Sequence, residues 1–180
     1  MLGLFYGSLY YQMHNGISSS LYTNRMALLF YCLMFIMFGH MQNMPQLFKE
    51  RLLFYRERGA CAYGAVPFWI SCWFFYIPLL FFNVLVFSLL VYYMTGLNPA
   101  PGRFGFFFCV LYLCSCSGLF MCQLLAHTAP SAMTAMTLLP ISFFLCIGFS
   151  GFIVYIPELS VWLRSWGPYI SYMRWGYQAL

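Results

Sequence analysis

Charge confined to one short stretch constrains this chain more than any other feature. Residues 45–66, PQLFKERLLFYRERGACAYGAV, hold Lys49, Glu50, Arg51, Arg56, Glu57 and Arg58, in a sequence with only 8 basic and 3 acidic residues in all. Long runs of Phe, Tyr, Leu and Met lie on either side. Charged residues make up 6% of the chain and hydrophobic ones 63%, whereas a soluble domain is roughly a quarter charged. The pattern fits an all-α, polytopic integral membrane protein, with the charged stretch as a loop left in water between two crossings. Continuous apolar runs without period-two alternation favour helices over barrel strands. A chain of 180 residues has room for about four to five helices of about 20 residues each and for no sizeable soluble domain.

The order of segments then follows. Residues 1–13 are apolar but too short to cross, and they lack the basic start and small-residue cleavage site of a signal peptide. They are expected to be the shortened end of a first span, where Gly3 and Gly7 form a GxxxG pair that lets another helix come close. A polar loop over 14–24 leads to a second span over 25–44, ended by Pro45. In the charged stretch Phe48, Leu52 and Tyr55 recur at helical spacing, which predicts a short amphipathic helix after Pro45. On composition it reads either as a basic anchor lying on the membrane surface or as a docking helix for a soluble partner.

A third span is expected over 67–94, beginning as a surface segment and kinked at Pro78, a fourth over 104–126 and a fifth over 132–155. Residues 156–180, with Trp162, Trp166, Tyr169 and Trp175, are expected to lie at or dip into the outer interface, before a last span that this sequence does not include. Lys49, Arg51, Arg56 and Arg58 fall within ten positions, which places the charged stretch on the cytoplasmic side. Arg25, Arg103, Arg164 and Arg174 equal them in number on the other side, so density decides the orientation.

Several kinds of chemistry are missing. There is no aspartate, and the glutamates, Glu50, Glu57 and Glu158, lie outside the expected spans. Ion-coupled transport therefore lacks its usual intramembrane carboxylate, and an intramembrane aspartyl protease is excluded. No GxSxG, HExxH or GxxxxGK[ST] motif occurs; if ATP drives this protein, another domain binds it. The cysteines fall in apolar runs, apart from Cys61 in the charged loop, and no metal-ligand spacing joins them to His14, His40 or His127. No metal site is expected. A Cys114, Cys116 and His127 grouping is the one candidate for a membrane-embedded enzyme, and its offsets do not converge on a helix face. The net charge of +5 speaks to topology and anionic lipid headgroups, with no basic stripe suited to nucleic acid.

Three places resemble a known family. Glu50, Phe54, Arg56, Glu57 and Tyr63 resemble its acidic, Phe, basic-Glu and Tyr signature; Asn24 and Arg25 resemble the pair that opens its second helix; and the tail resembles its closing pattern in Ser150, Gly151, Phe152, Ile156, Pro157, Trp162, Tyr169, Ile170, Ser171, Tyr172, Arg174, Trp175, Gly176 and Tyr177. The family is the membrane domain of ABC transporters of the G subfamily, the white and pleiotropic-drug-resistance type. The resemblance implies about five spans of a six-helix ABC-2 type domain, from a half-transporter or longer exporter that forms a homo- or heterodimer. A nucleotide-binding domain, holding ATP and Mg, would dock on the inner face.

Under that resemblance Glu50, Arg51, Arg56 and Glu57 couple ATP-driven closure to the spans. Phe35 and Phe38 are alternative matches to an aromatic that stacks on substrate, Phe144 and Ile147 line the same central cavity, and Phe152 with Ile153 form an apolar valve. Such a cavity would take lipids, sterols or hydrophobic xenobiotics in the plasma membrane or an internal one. A passive channel, a structural membrane adaptor or a nonfunctional truncated transporter stays open as the alternative.

Overall fold

The computed structural model describes residues 2–11, 19–97, 102–154 and 160–180. The expected Asn98–Pro101 part of the outer turn, residues 14–18 of the 14–24 loop, and Ile156, Pro157 and Glu158 of the tail lie outside the described residues. Eight α-helices run through the rest: α1 (Leu2–Leu9), α2 (Ser19–Gly39), α3 (Met44–Gly59), α4 (Ala65–Thr95), α5 (Arg103–Thr128), α6 (Ala132–Gly148), α7 (Val161–Ile170) and α8 (Tyr172–Ala179). A single 3-10 turn, His40–Asn43, joins α2 to α3.

The apolar runs become the long helices because a backbone in hydrocarbon must satisfy its own polar groups. α4 has 31 residues and α5 has 26, about 46 and 39 Å at 1.5 Å per residue, more than the roughly 30 Å of bilayer hydrocarbon. The run that begins at Tyr22 is likewise long and apolar enough to cross. α4 is one continuous helix through Pro78, with no separate surface segment before it, and it ends where Gly96 turns left-handed at φ 66.

Two boundaries differ from the expected ones for local reasons. α2 begins at Ser19, inside the stretch expected to be a loop. The fifth apolar run stops being helical at Gly148 instead of continuing to Tyr155: Ser150 N–H bonds back to the Ile147 carbonyl, and Gly151 then takes φ 88. At its other end α6 starts in a capping box, with Ser131 and Thr134 bonding each other's backbone N–H.

α5 is the central pillar, packed against α2, α3, α4, α6 and α8. Cys114, Gly118, Cys122 and Ala126 recur on it every four residues, all buried, and these small side chains let neighbours close in. A Cβ added at Gly176 of α8 would stand 2.3 Å from Cys114 Sγ, and one at Gly118 would stand 2.8 Å from the His40 ring. α1 docks on α4 by the same device: a Cβ at Gly7 would meet Met94 Sδ at 2.6 Å, and one at Gly3 would touch Phe87 and Leu90.

The tail does more than rest on a surface. α7 and α8 meet at Ser171, which is buried and lies beside the middle of the bundle, with the Tyr172 hydroxyl 3.4 Å from the place of a Gly118 Cβ. Ser171 Oγ–H donates to the Cys146 carbonyl at 2.6 Å, and the same oxygen accepts from Arg174 N–H at the start of α8. The non-helical turn is thus covered by protein, the condition for such backbone at membrane depth.

Candidate functional site

The charged stretch folds as α3, and its contacts set it apart from a loose surface anchor. Pro45, early in the first turn, suits a helix start. The face that α3 turns to the bundle is Met44, Leu47 and Phe54, all buried, with Arg51 half-buried between them. This corrects the sequence-predicted stripe: Leu52 and Tyr55 are on the outside. The reason lies in Arg51, a charged residue that spoils the apolar pattern of the docked face because its partners are backbone carbonyls.

Arg51 Nη1 donates to the Ala126 carbonyl at 2.8 Å and to the Ala129 carbonyl at 2.6 Å. These are orphan carbonyls at the end of α5, where the helix dipole is negative. The guanidinium is steadied on its own helix, 5.1 Å from the Phe48 ring centroid and 5.3 Å from that of Tyr55, whose hydroxyl accepts from Arg51 Nε–H at 3.1 Å. Glu50 supplies the second tie: its carboxylate accepts from the Tyr76 hydroxyl of α4 at 2.8 Å and from Gln46 at 3.1 Å. α3 is therefore fastened to α5 by Arg51 and to α4 by Glu50.

Glu57 fixes the connection that follows. Its carboxylate accepts from the Tyr63 hydroxyl, and the same bond holds the Tyr63 phenol above its usual titration range. Tyr63, Phe54 and Phe68 stack around it, with Phe54 and Phe68 centroids 4.4 Å apart, and His127 at the end of α5 meets Phe68 and Trp69. Glu50, Phe54, Glu57 and Tyr63, apart in sequence, thus form one joint between α3, its loop and α4. Arg56 does not join it and is exposed, as is Lys49. Arg58 lies 5.9 Å from the Phe54 ring.

The aromatic candidates fall into separate places. Phe38 of α2 meets Phe143 and Phe144 of α6 edge-on, at 6.0 and 6.1 Å, and Phe144 is 63% exposed on that face. Ile147 is 4% exposed and belongs to the core, so it does not share the open face with Phe144. Phe35 turns the other way and stacks on Phe87 of α4 at 5.4 Å. Phe152 stacks on Phe30 at 4.5 Å and meets Tyr177 of α8 at 5.7 Å, while Ile153 is exposed.

The sequence profile of the ABC-2 type transporter family matches residues 1–180, the whole chain. The chain belongs to that family. This ABC-2 chain is 29% identical over its full length to ABC transporter G family member 2 of Dictyostelium discoideum, covering 13% of that protein. It is 28% identical over its full length to the broad substrate specificity ATP-binding cassette transporter ABCG2 of Sus scrofa, covering 27% of it. Over 98% of its length it is 25% identical to the brefeldin A resistance protein of Schizosaccharomyces pombe, covering 11% of that one. The ABC-2 chain thus spans about a quarter or less of the length of these relatives.

Two features of the ABC-2 chain escaped the sequence reading. One is the role of Arg51 as a clamp on α5, which needs partners some 75 residues away. The other is the small-residue stripe on α5, whose signal was present: Cys114, Gly118, Cys122 and Ala126 at four-residue spacing are a repeated small-xxx-small pattern. Weighing the cysteines only as metal ligands hid it.

Proposed function

We propose that this ABC-2 chain is the membrane part of an ATP-driven exporter of the G type, and that α3 is the handle through which a nucleotide-binding domain moves it. The observation that carries the reading is the double fastening of α3, by Arg51 to the end of α5 and by Glu50 to Tyr76 of α4. A push on an isolated surface helix would be absorbed locally, whereas a push on α3 is delivered to two long helices at once. Exposed Lys49 and Arg56 offer the contact surface toward that domain, and Glu57 with Tyr63 keeps the α3–α4 joint stiff.

ATP and Mg belong to that other domain. Lys49 is the one lysine in the sequence, and it sits between Phe48 and Glu50 with no glycine-rich phosphate cradle before it. The residues present do not fit a nucleotide. The open face with Phe38 and Phe144 would form a substrate cavity with the same face of a second half-transporter. Phe35 and Ile147 would shape that region from behind, and Phe152 with Ile153 would close it toward the tail. Such a wall favours flat apolar molecules held by area burial: lipids, sterols or hydrophobic xenobiotics, in keeping with relatives whose names speak of broad specificity and of brefeldin A resistance.

The test is Glu57→Ala in the complete transporter that carries this chain. ATP hydrolysis and membrane insertion are expected to persist while export falls at least tenfold. Export at the normal rate would overturn the handle assignment.

A further inference from the structure

One cleft in the bundle is lined by groups ill suited to lipid tails. It lies between α2 and α4, with a volume of about 260 Å³. Gln42, Asn43 and Asn83 line it; Gln42 and Asn83 are exposed and Asn43 is half-buried. His40, 3% exposed, lines it too. Its Nε2 and Ser115 Oγ share a hydrogen bond of 3.0 Å, and its Nδ1 has no partner. His40 Nδ1 is thus a buried polar atom without a partner among the described residues, and Asn83 stands midway along α4; polar groups at that depth are costly and point to function before packing.

The cleft is also graded along its length. On α2 the chain runs from Phe35 to Asn43 toward α3, and on α4 from Leu80 to Phe87 away from it. The polar end, at His40, Gln42 and Asn43, therefore faces the charged end of the molecule, and the stacked Phe35 and Phe87 close the other end. A lipid in the adjacent leaflet has the same sense, head toward the charges and body toward the midplane. Among the described residues no charged side chain lines the cleft, and carboxamides offer both donors and acceptors, so the matching head is a neutral hydroxyl. Gly39 lines the cleft and is exposed, and an added Cβ there would meet no atom within 4 Å. The volume falls below the roughly 300–1,000 Å³ of pockets that engulf a ligand whole; the cleft grips the head end while the rest of the body stays in lipid.

We propose that this cleft is a binding site for a membrane amphiphile with an uncharged hydroxyl head, such as a monoacylglycerol or a sterol, inserted head toward α3. It is separate from the Phe38–Phe144 face and does not depend on the export reading, since occupancy is measured without transport or ATP. The test is photolabelling of the full-length protein in nanodiscs with two diazirine probes, a monoacylglycerol and a 3-hydroxysterol, followed by peptide mapping. Label is expected to concentrate on residues 35–43 and 80–87 and to be displaced by the unlabelled parent compound. Whichever probe is displaced identifies the source of the hydroxyl head.

Gly39→Leu adds bulk to the lining without backbone strain, because Gly39 has ordinary helical angles of φ −56 and ψ −29. It should cut labelling at least fivefold, while Gly39→Ala leaves most of it. Asn83→Leu should weaken capture of the hydroxyl probe and spare that of its methyl ether. Label spread evenly over the lipid-facing helices, or undiminished in a Gly39→Leu protein of unchanged thermal midpoint, would overturn the site.

Discussion

Arg51 shows how much a single side chain decides in this molecule. Its guanidinium serves two carbonyls at the end of α5 that would otherwise face a poorly hydrated joint, and hydrogen bonds to a charged group are worth about 1.5–3 kcal/mol. Arg51→Met should therefore lower the stability of the purified protein by about 2 kcal/mol, seen as a drop in its thermal midpoint by tryptophan fluorescence in detergent. Arg51→Lys should recover part of it, because an ammonium keeps the charge but lacks the planar fork. Equal midpoints for all three proteins would show that the α3–α5 clamp bears no load. Gly176 makes a steric counterpart. Gly176→Ala drives a methyl into Cys114 Sγ and should cost about 1–3 kcal/mol by overpacking. Adding Cys114→Ala removes that sulfur, and the double variant should regain most of the loss; failure to do so would place the strain elsewhere. Arg51 was recognisable in the sequence as one of a cluster of charges, but its carbonyl partners were not, because backbone acceptors leave no mark on residue identity.

At the level of elements, the chain is assembled by helices that meet through small residues and by single polar ties at their ends. α8 illustrates both, since Gly176 lets it approach α5 and α2 while Ser171 caps it and joins it to the last turn of α6. Ser171→Ala removes an N-cap, worth about 1 kcal/mol, together with a bond to the Cys146 carbonyl. The expected outcome is faster hydrogen exchange in 171–179 with exchange in α5 unchanged; uniform protection in both would mean that packing alone holds α8. The amphipathic character of α3 was legible from its mixture of charges and aromatics, whereas its docked face was not. Periodicity counts apolar positions, and here an arginine occupies the middle of the docked face while Leu52 and Tyr55 face out. The end of α6 was misjudged for a related reason: the run after Gly148 is apolar in composition, but Ser150 and Gly151 turn the backbone out of the helix.

For the whole molecule, the decisive question is which end of the bundle faces the cytosol. Dense basic charge on α3 predicts that this end does. Cys61, exposed in the α3–α4 connection, provides the probe in a Cys109→Ala background, since Cys109 is also exposed. A membrane-impermeant maleimide should label Cys61 only after the cells are permeabilised. Labelling in intact cells would invert the topology and remove α3 from the reach of any cytosolic domain, and the handle reading would fall with it.

Composition by itself determined that this chain lives in a membrane as a set of helices, because the cost of moving each residue from water to hydrocarbon is local and adds along a run. Motif order was likewise sufficient for the family. What only the tertiary structure decided is which faces meet: that Phe35 looks toward α4 while Phe38 looks toward α6, that Ile147 is core and Phe144 is open, and that Arg51 reaches across 75 residues to α5. In a sequence where 63% of positions are hydrophobic, hydrophobicity no longer distinguishes inside from outside. Helix rotation is then set by shape, by small residues and by a few polar ties, and these act between segments distant in the chain.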